Sequence, residues 1–349
     1  MRIAVCHPQT PFVRGGAETH AEQLVGALRA AGHDADLVSI AGKWYPGTEL
    51  VHQMAVWRSL DLSESNGLPI DAVVALKFPA YLVKHERKIV WLIHQHRTAY
   101  ELWDHPEYAD LARQEDGPAV REMVHEADRV ALGEAKRIFT NSKNVKERLR
   151  SSLHIASEAL YHRNLIMEAL LPMEPGPTGD AIVFPSRFEG LKRQSLAVDA
   201  MRHVRSEVRL LLVGRGPDEG TLRDRIRGSG LEGRVAIEVG PSDERLRELY
   251  LSALGVYYGP FDEDYGYVTL EGFAARRPVI TLTDSGGPLE FVADGETGLV
   301  APPEPRAIAA AFDSLYEDRA FAGRLGAAGR VLFEREVPPW AEVVARLLS

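Results

Sequence analysis

The chain has 349 residues, 45% of them apolar, with 41 basic and 50 acidic side chains for a formal charge of −9. That length favours two domains, because single cores seldom grow past ~250–300 residues, and the acidic balance argues against nucleic acid as a partner, which needs a concentrated basic footprint. A lone cysteine, Cys6, excludes an intramolecular disulfide, a cysteine-based metal site and a CxxC redox pair.

The opening "MRIAVCHP" reads as a strand and a turn, without the apolar core and small-residue cleavage site of a signal peptide. No apolar run approaches the ~18 residues of a membrane span, so a cytoplasmic protein is expected. Strand 2–8 leads into the glycine-rich turn "RGGAETH" and then a helix in which Leu24, Leu28 and Ala31 share a face, with Gly32 as its stop. Further strands are expected at 34–40, 71–76, 88–94 and 137–142, short Val/Ile-rich runs of the kind buried on both faces of a parallel sheet. The stretch 170–180, with three prolines and two glycines, has the composition of a linker. A second set of strands follows at 181–186, 208–214, 234–240, 254–260 and 278–283, and the chain closes on the amphipathic helix "WAEVVARLLS". Two doubly wound α/β domains result, 1–170 and 171–330, with a terminal helical segment, 331–349. In such folds ligands lie at the carboxyl ends of the strands.

Several motifs sit at those ends. Gly15 and Gly16 open the first helix, where backbone can approach a ligand and helix-start amides favour an anion; a plain turn explains them equally well. His94 ends the strand "KIVWLIH", and with His96 makes an H-x-H pair, a weak metal signal without a third ligand. Arg187 and Lys192 follow strand 181–186 and suit a diphosphate, a planar fork beside a point charge; solvated loop charges are the plainer reading. Gly214 and Gly216 follow strand 208–214 in G-x-G-x-x-x-G spacing, which fits a nicotinamide fingerprint poorly and a tight turn beside the interdomain crevice better. From Lys136 to Arg150 there are six basic residues and one glutamate, so Lys143, Lys146 and Arg150 could meet anionic lipid, although a solvated helix face is the commoner explanation.

The stretch "FDEDYGYVTLE" carries Glu263 and Glu271 on either side of Gly266. A helix starting there leaves the amides of Tyr267, Val268 and Thr269 as donors for phosphate. Glu271, one turn inside, can accept a ribose diol, and Glu263, before the turn, a sugar.

This E-x7-E arrangement resembles the signature of the retaining GT-B glycosyltransferases of family 4. "GGAE", His94, "FTNS", the Arg187/Lys192 pair, "VGRGP", the segment 276–300 and "PPWAEVVARLL" are similar to that family's other motifs, over nearly the whole chain. Departures are "GPFDEDYGY" in place of Pro-Ser and Gly-Phe-Gly, Arg277 where glycine is usual, and no Asn-Gly turn in the interdomain segment. The resemblance implies two Rossmann-like domains facing a cleft, with a last helix crossing back to the first domain. The C-terminal domain would bind a nucleotide-sugar donor, UDP-sugar favoured and GDP-mannose second, and the N-terminal domain an acceptor such as a glycan or lipid-linked saccharide. It assigns the diphosphate to Arg187 and Lys192, the transferred sugar to His94 and Glu263, and the ribose to Glu271. The donor would also meet the Gly15–Gly16 turn, the Gly214/Gly216 turn and the helix start 266–269. No cofactor and no metal are expected, the two cations taking the metal's role. A nucleotide-sugar 2-epimerase and a non-enzymatic sugar-nucleotide binding module are the alternatives. The expected place is the cytoplasm, or the inner membrane face if the basic helix touches lipid.

Overall fold

A computed structural model describes all 349 residues. The chain divides into two compact units, Met1–His162 with Pro339–Ser349, and Arg163–Pro338. Unit 1 runs β1 (Arg2–Gln9), α1 (Gly16–Ala30), β2 (Asp34–Ala41), α2 (Gly47–Ser59), the small hairpin β3 (Glu64–Ser65) and β4 (Leu68–Pro69), β5 (Ala72–Ala75), β6 (Lys88–Leu92), α3 (Gly117–Gly133), β7 (Arg137–Thr140), α4 (Lys143–Leu153) and β8 (Glu158–Ala159). Unit 2 holds α5 (Leu165–Leu170), β9 (Ala181–Pro185), α6 (Gln194–Met201), β10 (Arg209–Gly214), α7 (Glu219–Gly228), β11 (Val235–Val239), α8 (Asp243–Ser252), β12 (Gly255–Tyr257), α9 (Tyr267–Ala274), β13 (Val279–Leu282), β14 (Gly298–Ala301), α10 (Pro305–Glu317) and α11 (Arg319–Glu336). The last helix, α12 (Trp340–Leu348), belongs to unit 1.

Each unit is built on a six-stranded parallel sheet, ordered β2-β1-β5-β6-β7-β8 in unit 1 and β11-β10-β9-β12-β13-β14 in unit 2. Successive strand residues point to opposite faces. In unit 1, Ala4, Cys6, Val73, Ala75, Val90 and Leu92 therefore join one apolar cluster, and Ile3, Val5, Val74, Leu76, Ile89 and Trp91 the other. Both faces are covered, which is why these strands read as continuous apolar runs rather than alternating ones. Val343, Val344 and Leu347 of α12 complete the second cluster beside Leu24 and Leu28. Cys6 is a buried core residue, its thiol pushed up to about 12 by burial.

Strand order reverses between β1 and β5 in unit 1 and between β9 and β12 in unit 2. Chain leaving two neighbouring strands in opposite directions opens a crevice at their carboxyl ends, the usual ligand position in open α/β sheets.

Four expectations need correction. The boundary between units falls at His162, not at 170. The reason is Asn164, which caps α5 through Met167 N–H at 2.9 Å and donates to Glu271 at 2.6 Å, fastening α5 to unit 2 before the proline-rich stretch begins. The terminal helical segment is not one element: α11 packs in unit 2 and only α12 joins unit 1. Ala31 is exposed and caps α1 rather than sharing its buried face. Finally, the edge strands β8 and β14 were not anticipated, being two and four residues long, too short to show a period.

Candidate active site

The carboxyl end of β9 releases the loop 186–193, and the end of β12 releases 258–266, so both border the switch point of unit 2. Phe188, fully buried, pins the first loop, and its amide donates to the Arg215 carbonyl at 3.0 Å. This explains Gly214 and Gly216. A Cβ on either would lie 1.9 Å from Ser186 O or 2.2 Å from Phe188 O, and Gly214 has φ +149°. The two glycines admit the backbone of the loop bearing Arg187, a packing role that stands beside the expected donor contact.

The two loops are then laced together. Phe261 N–H donates to Leu191 O at 2.8 Å. Arg193, in the left-handed region at φ +56°, donates to Gly259 O at 2.9 Å and Pro260 O at 2.7 Å, and forks onto both oxygens of Asp284 at 2.7 and 2.8 Å. Sequence reasoning missed Arg193. Its one signal is adjacency to Lys192, and the turn that sends the two side chains apart cannot be read from residue type. Asp262 and Glu263 run beside the loop after β13, with their amides donating to Asp284 O at 2.9 Å and Ser285 O at 2.8 Å.

Lys192 and Glu263 meet across this seam, Nζ to Oε2, at 2.5 Å, with side chains 16% and 17% exposed. The glutamate expected to read a sugar thus also holds the ammonium expected to read phosphate. Arg187 is 46% exposed and pairs with Glu189 at 2.6 Å, so the two cations differ in exposure and partner.

Gly266 caps α9 at φ +84°, a conformation that suits glycine. Of the three amides expected as phosphate donors, that of Thr269 is already used, bonding Gly266 O at 3.0 Å. Tyr267 and Val268 occupy the first two helical positions. Glu271 is buried at 7% exposure; its Oε1 accepts from Asn164 and its Oε2 from the Tyr250 hydroxyl, which joins α5, α8 and α9. Burial pushes its carboxyl up and the two donors pull it back, burial prevailing. It is a strut as well as a candidate ribose contact.

At the switch point of unit 1 the expected anion site of Gly15–Gly16 is altered by the chain itself. Glu18 reaches back so that its Oε2 accepts the Gly15 amide at 2.8 Å, a capping box that places a carboxylate where an external anion was anticipated. Its Oε1 lies 3.5 Å from His7 Nε2 and 3.9 Å from Lys77 Nζ. Burial raises the Glu18 carboxyl, but His7 and Lys77 together bring it down to about 2. Burial lowers His7, and the neighbouring Glu18 carboxylate partly opposes that shift. Lys77 and His7 also escaped the sequence reading, since neither stands in a recognisable motif. His94 lies two residues past β6, with Nδ1 2.6 Å from the Gln95 carbonyl. His96, part-exposed like His94, packs its ring on Phe78 at 5.4 Å, and desolvation of that ring lowers it to about 3.

On α4, Lys143, Lys146 and Arg150 are exposed, but Glu147 grips Arg150 at 2.6 and 2.9 Å. The stripe is partly neutralised, as a solvated face would be. No helix is long and apolar enough to cross a membrane.

Residues 175–331 match the family model described as Glycosyl transferases group 1. An α-1,3/1,6-mannosyltransferase, ALG2 of Dictyostelium discoideum, is 31% identical over 166 residues, 42% of this chain and 39% of that protein. An exopolysaccharide phosphotransferase of Streptomyces coelicolor is 30% identical over 218 residues, 60% of this chain and 23% of that protein. The chain thus spans well under half the length of these two curated relatives. Among solved structures, sucrose-phosphate synthase from Thermosynechococcus elongatus superposes with a TM-score of 0.76 at 20% identity, covering 99% of this chain and 97% of that one. That likeness extends over both units and gives the GT-B fold class. The family pattern thus fills most of unit 2, and the solved structure shares the two-sheet architecture around it.

Proposed function

We propose that the protein is a retaining glycosyltransferase that moves a sugar from a nucleotide diphosphate sugar to a saccharide-type acceptor. The observation that carries this reading is the convergence, at the switch point of unit 2, of Lys192, Glu263 and the N-terminus of α9. An ammonium and helix-start amides together suit a diphosphate, and the same groups stabilise the charge that grows on it as it leaves.

In this mechanism Lys192, with Arg187 at the rim, binds the diphosphate. Glu263 orients Lys192 and accepts from a hydroxyl of the transferred sugar. Glu271 accepts from the ribose, since each carboxylate oxygen has a second lone pair beyond the one its protein donor uses. Family resemblance assigns His94 and the Gly15–Gly16 turn to the donor as well. The acceptor hydroxyl attacks the anomeric carbon on the face from which the diphosphate departs. Its proton passes to the leaving phosphate oxygen as the glycosidic bond to phosphate breaks. Lys192 and the α9 amides supply the charge compensation a divalent cation supplies elsewhere, so turnover should survive chelation. The UDP-sugar expectation stands beside a mannosyl one, because ALG2 is named for mannose transfer.

The deciding experiment incubates the full chain with UDP-glucose or GDP-mannose labelled in the sugar, with and without EDTA, and a panel of saccharide acceptors. Label appearing in a product with retained anomeric configuration supports the proposal. Sugar isomerised at C2 and still on its nucleotide indicates the epimerase, and binding without any turnover indicates a binding module. Loss of activity on chelation, restored by Mg²⁺, would make Asp262 and Asp264, which stand in D-x-D spacing around Glu263, the candidate ligands.

A further inference from the structure

Helix α3 turns one face toward the chain that follows β6. Arg121, His125 and Asp128 lie four and three residues apart and so share a side of the helix. Arg121 Nε donates to Ala99 O at 2.9 Å, and His125 Nε2 lies 2.9 Å from the same oxygen. The His125 ring stacks on Tyr100, 4.4 Å between centroids. One turn on, Asp128 is fully buried, with Oδ1 accepting the Tyr81 hydroxyl at 2.8 Å and Oδ2 the Tyr100 hydroxyl at 2.7 Å.

A carboxyl group inside a core costs free energy unless its oxygens are bonded, and an apolar residue would pack there at less cost. What the carboxyl group adds is a connection between two loops. Tyr81 belongs to the turn Ala80–Leu82 after β5, four residues beyond Lys77; Tyr100 follows the turn Arg97–Ala99 after β6, six beyond His94. Lys77 and His94 both act electrostatically on His7, at the end of β1. One buried carboxyl group therefore ties together the two loops that bring Lys77 and His94 to the same edge of the unit 1 sheet. The charged and titratable groups nearest the tie are Lys88, whose Nζ donates to Tyr81 O at 3.2 Å, and Arg129 and His125 beside Tyr100.

We infer that Asp128 is a positioning residue that holds Lys77 and His94 in register at the unit 1 switch point, and that Lys77 is itself part of the functional site. The role in turnover rests on the transferase reading; the tie does not. Asp128→Asn keeps the volume and one acceptor but replaces the other oxygen by a donor. Hydrogen exchange of the full-length variant should quicken about tenfold in both 77–82 and 93–100, the scale of one net hydrogen bond lost, and stay unchanged in unit 2. Tyr100→Phe should loosen 93–100 alone and Tyr81→Phe 77–82 alone, which keeps the test open if the Asn variant folds poorly. In turnover, Asp128→Asn should lower kcat about tenfold with affinity for bare UDP unchanged, because unit 2 is untouched. Unchanged exchange in either loop of Asp128→Asn overturns the tie, and both loops loosened with kcat intact overturns the positioning role. Absence of transfer by the unmodified protein would sink the transferase reading instead, while exchange still decides the tie.

Discussion

The two switch points use the same materials in different ways. In unit 2 a lysine and a glutamate from loops at adjoining strand ends meet at 2.5 Å, directly before a helix start that Gly266 leaves without a side-chain cap. In unit 1 the helix start is capped from within by Glu18, and the lysine lies 3.9 Å from that carboxylate instead. An uncapped helix start with an ammonium beside it is electropositive and suits phosphate. A helix start already holding a carboxylate repels a second anion and offers acceptors, which suits hydroxyl groups. On the proposed function, the same strand arrangement yields one edge for a diphosphate and one for a neutral polyol.

The largest expected effect would break the contrast outright. Lys192→Ala should weaken UDP binding by roughly 2–4 kcal/mol, because it also removes the ammonium that offsets the Glu263 charge beside the incoming phosphates. Lys77→Ala should change bare UDP affinity far less. Calorimetry on both variants tests this, and equal losses would show that the two edges do not divide phosphate from sugar.

Next come the two glutamates of unit 2, with a cost of about 1.5–3 kcal/mol for each charged hydrogen bond lost. Glu271→Gln should weaken bare nucleotide and nucleotide sugar alike. It should also lower stability, since the amide cannot accept from both Asn164 and Tyr250. Glu263→Gln should weaken the nucleotide sugar more than the bare nucleotide, and thermal unfolding should move less than for Glu271→Gln. A larger thermal shift for Glu263→Gln would mean that the seam, not the strut, holds the loop.

Two pH effects sharpen the unit 1 side. Glu18 has a carboxyl depressed to about 2 from 4.5. Its contribution is therefore present above the ordinary carboxylate range and is lost as pH falls through about 2, a loss Glu18→Gln should abolish in acid unfolding curves. Asp128 goes the opposite way, raised to about 7 from 3.8 by burial. The unfolded chain ionises first, so stability should fall as pH rises from about 4 to about 7 and level off above. Asp128→Asn should flatten that slope while leaving the acid limb of Glu18 in place. A slope that survives the substitution would assign it to another group.

Much of the architecture was legible before any coordinates. Short buried strands alternating with amphipathic helices specify two parallel sheets, because only a strand covered on both faces is apolar at every position. The locations of Lys192, Glu263 and Gly266 were also legible, since loops at carboxyl strand ends carry ligands in this architecture. Glycines gave mixed guidance: Gly266 is a helix start at φ +84°, as read, whereas Gly214 and Gly216 admit a neighbouring backbone. Residue type alone cannot distinguish a glycine that makes room for ligand from one that makes room for protein.

The sequence by itself determined the longer strands of both sheets and which loops leave their carboxyl ends, because these follow from local periodicity and connection order. Only the tertiary structure decided what the charged residues do there. The Lys192–Glu263 contact spans 71 positions, Asn164–Glu271 spans 107, and Asp128 gathers tyrosines 47 and 28 residues away. The free energy of a charged group depends on its partners and its distance from water, and both are set by packing between segments far apart in the chain.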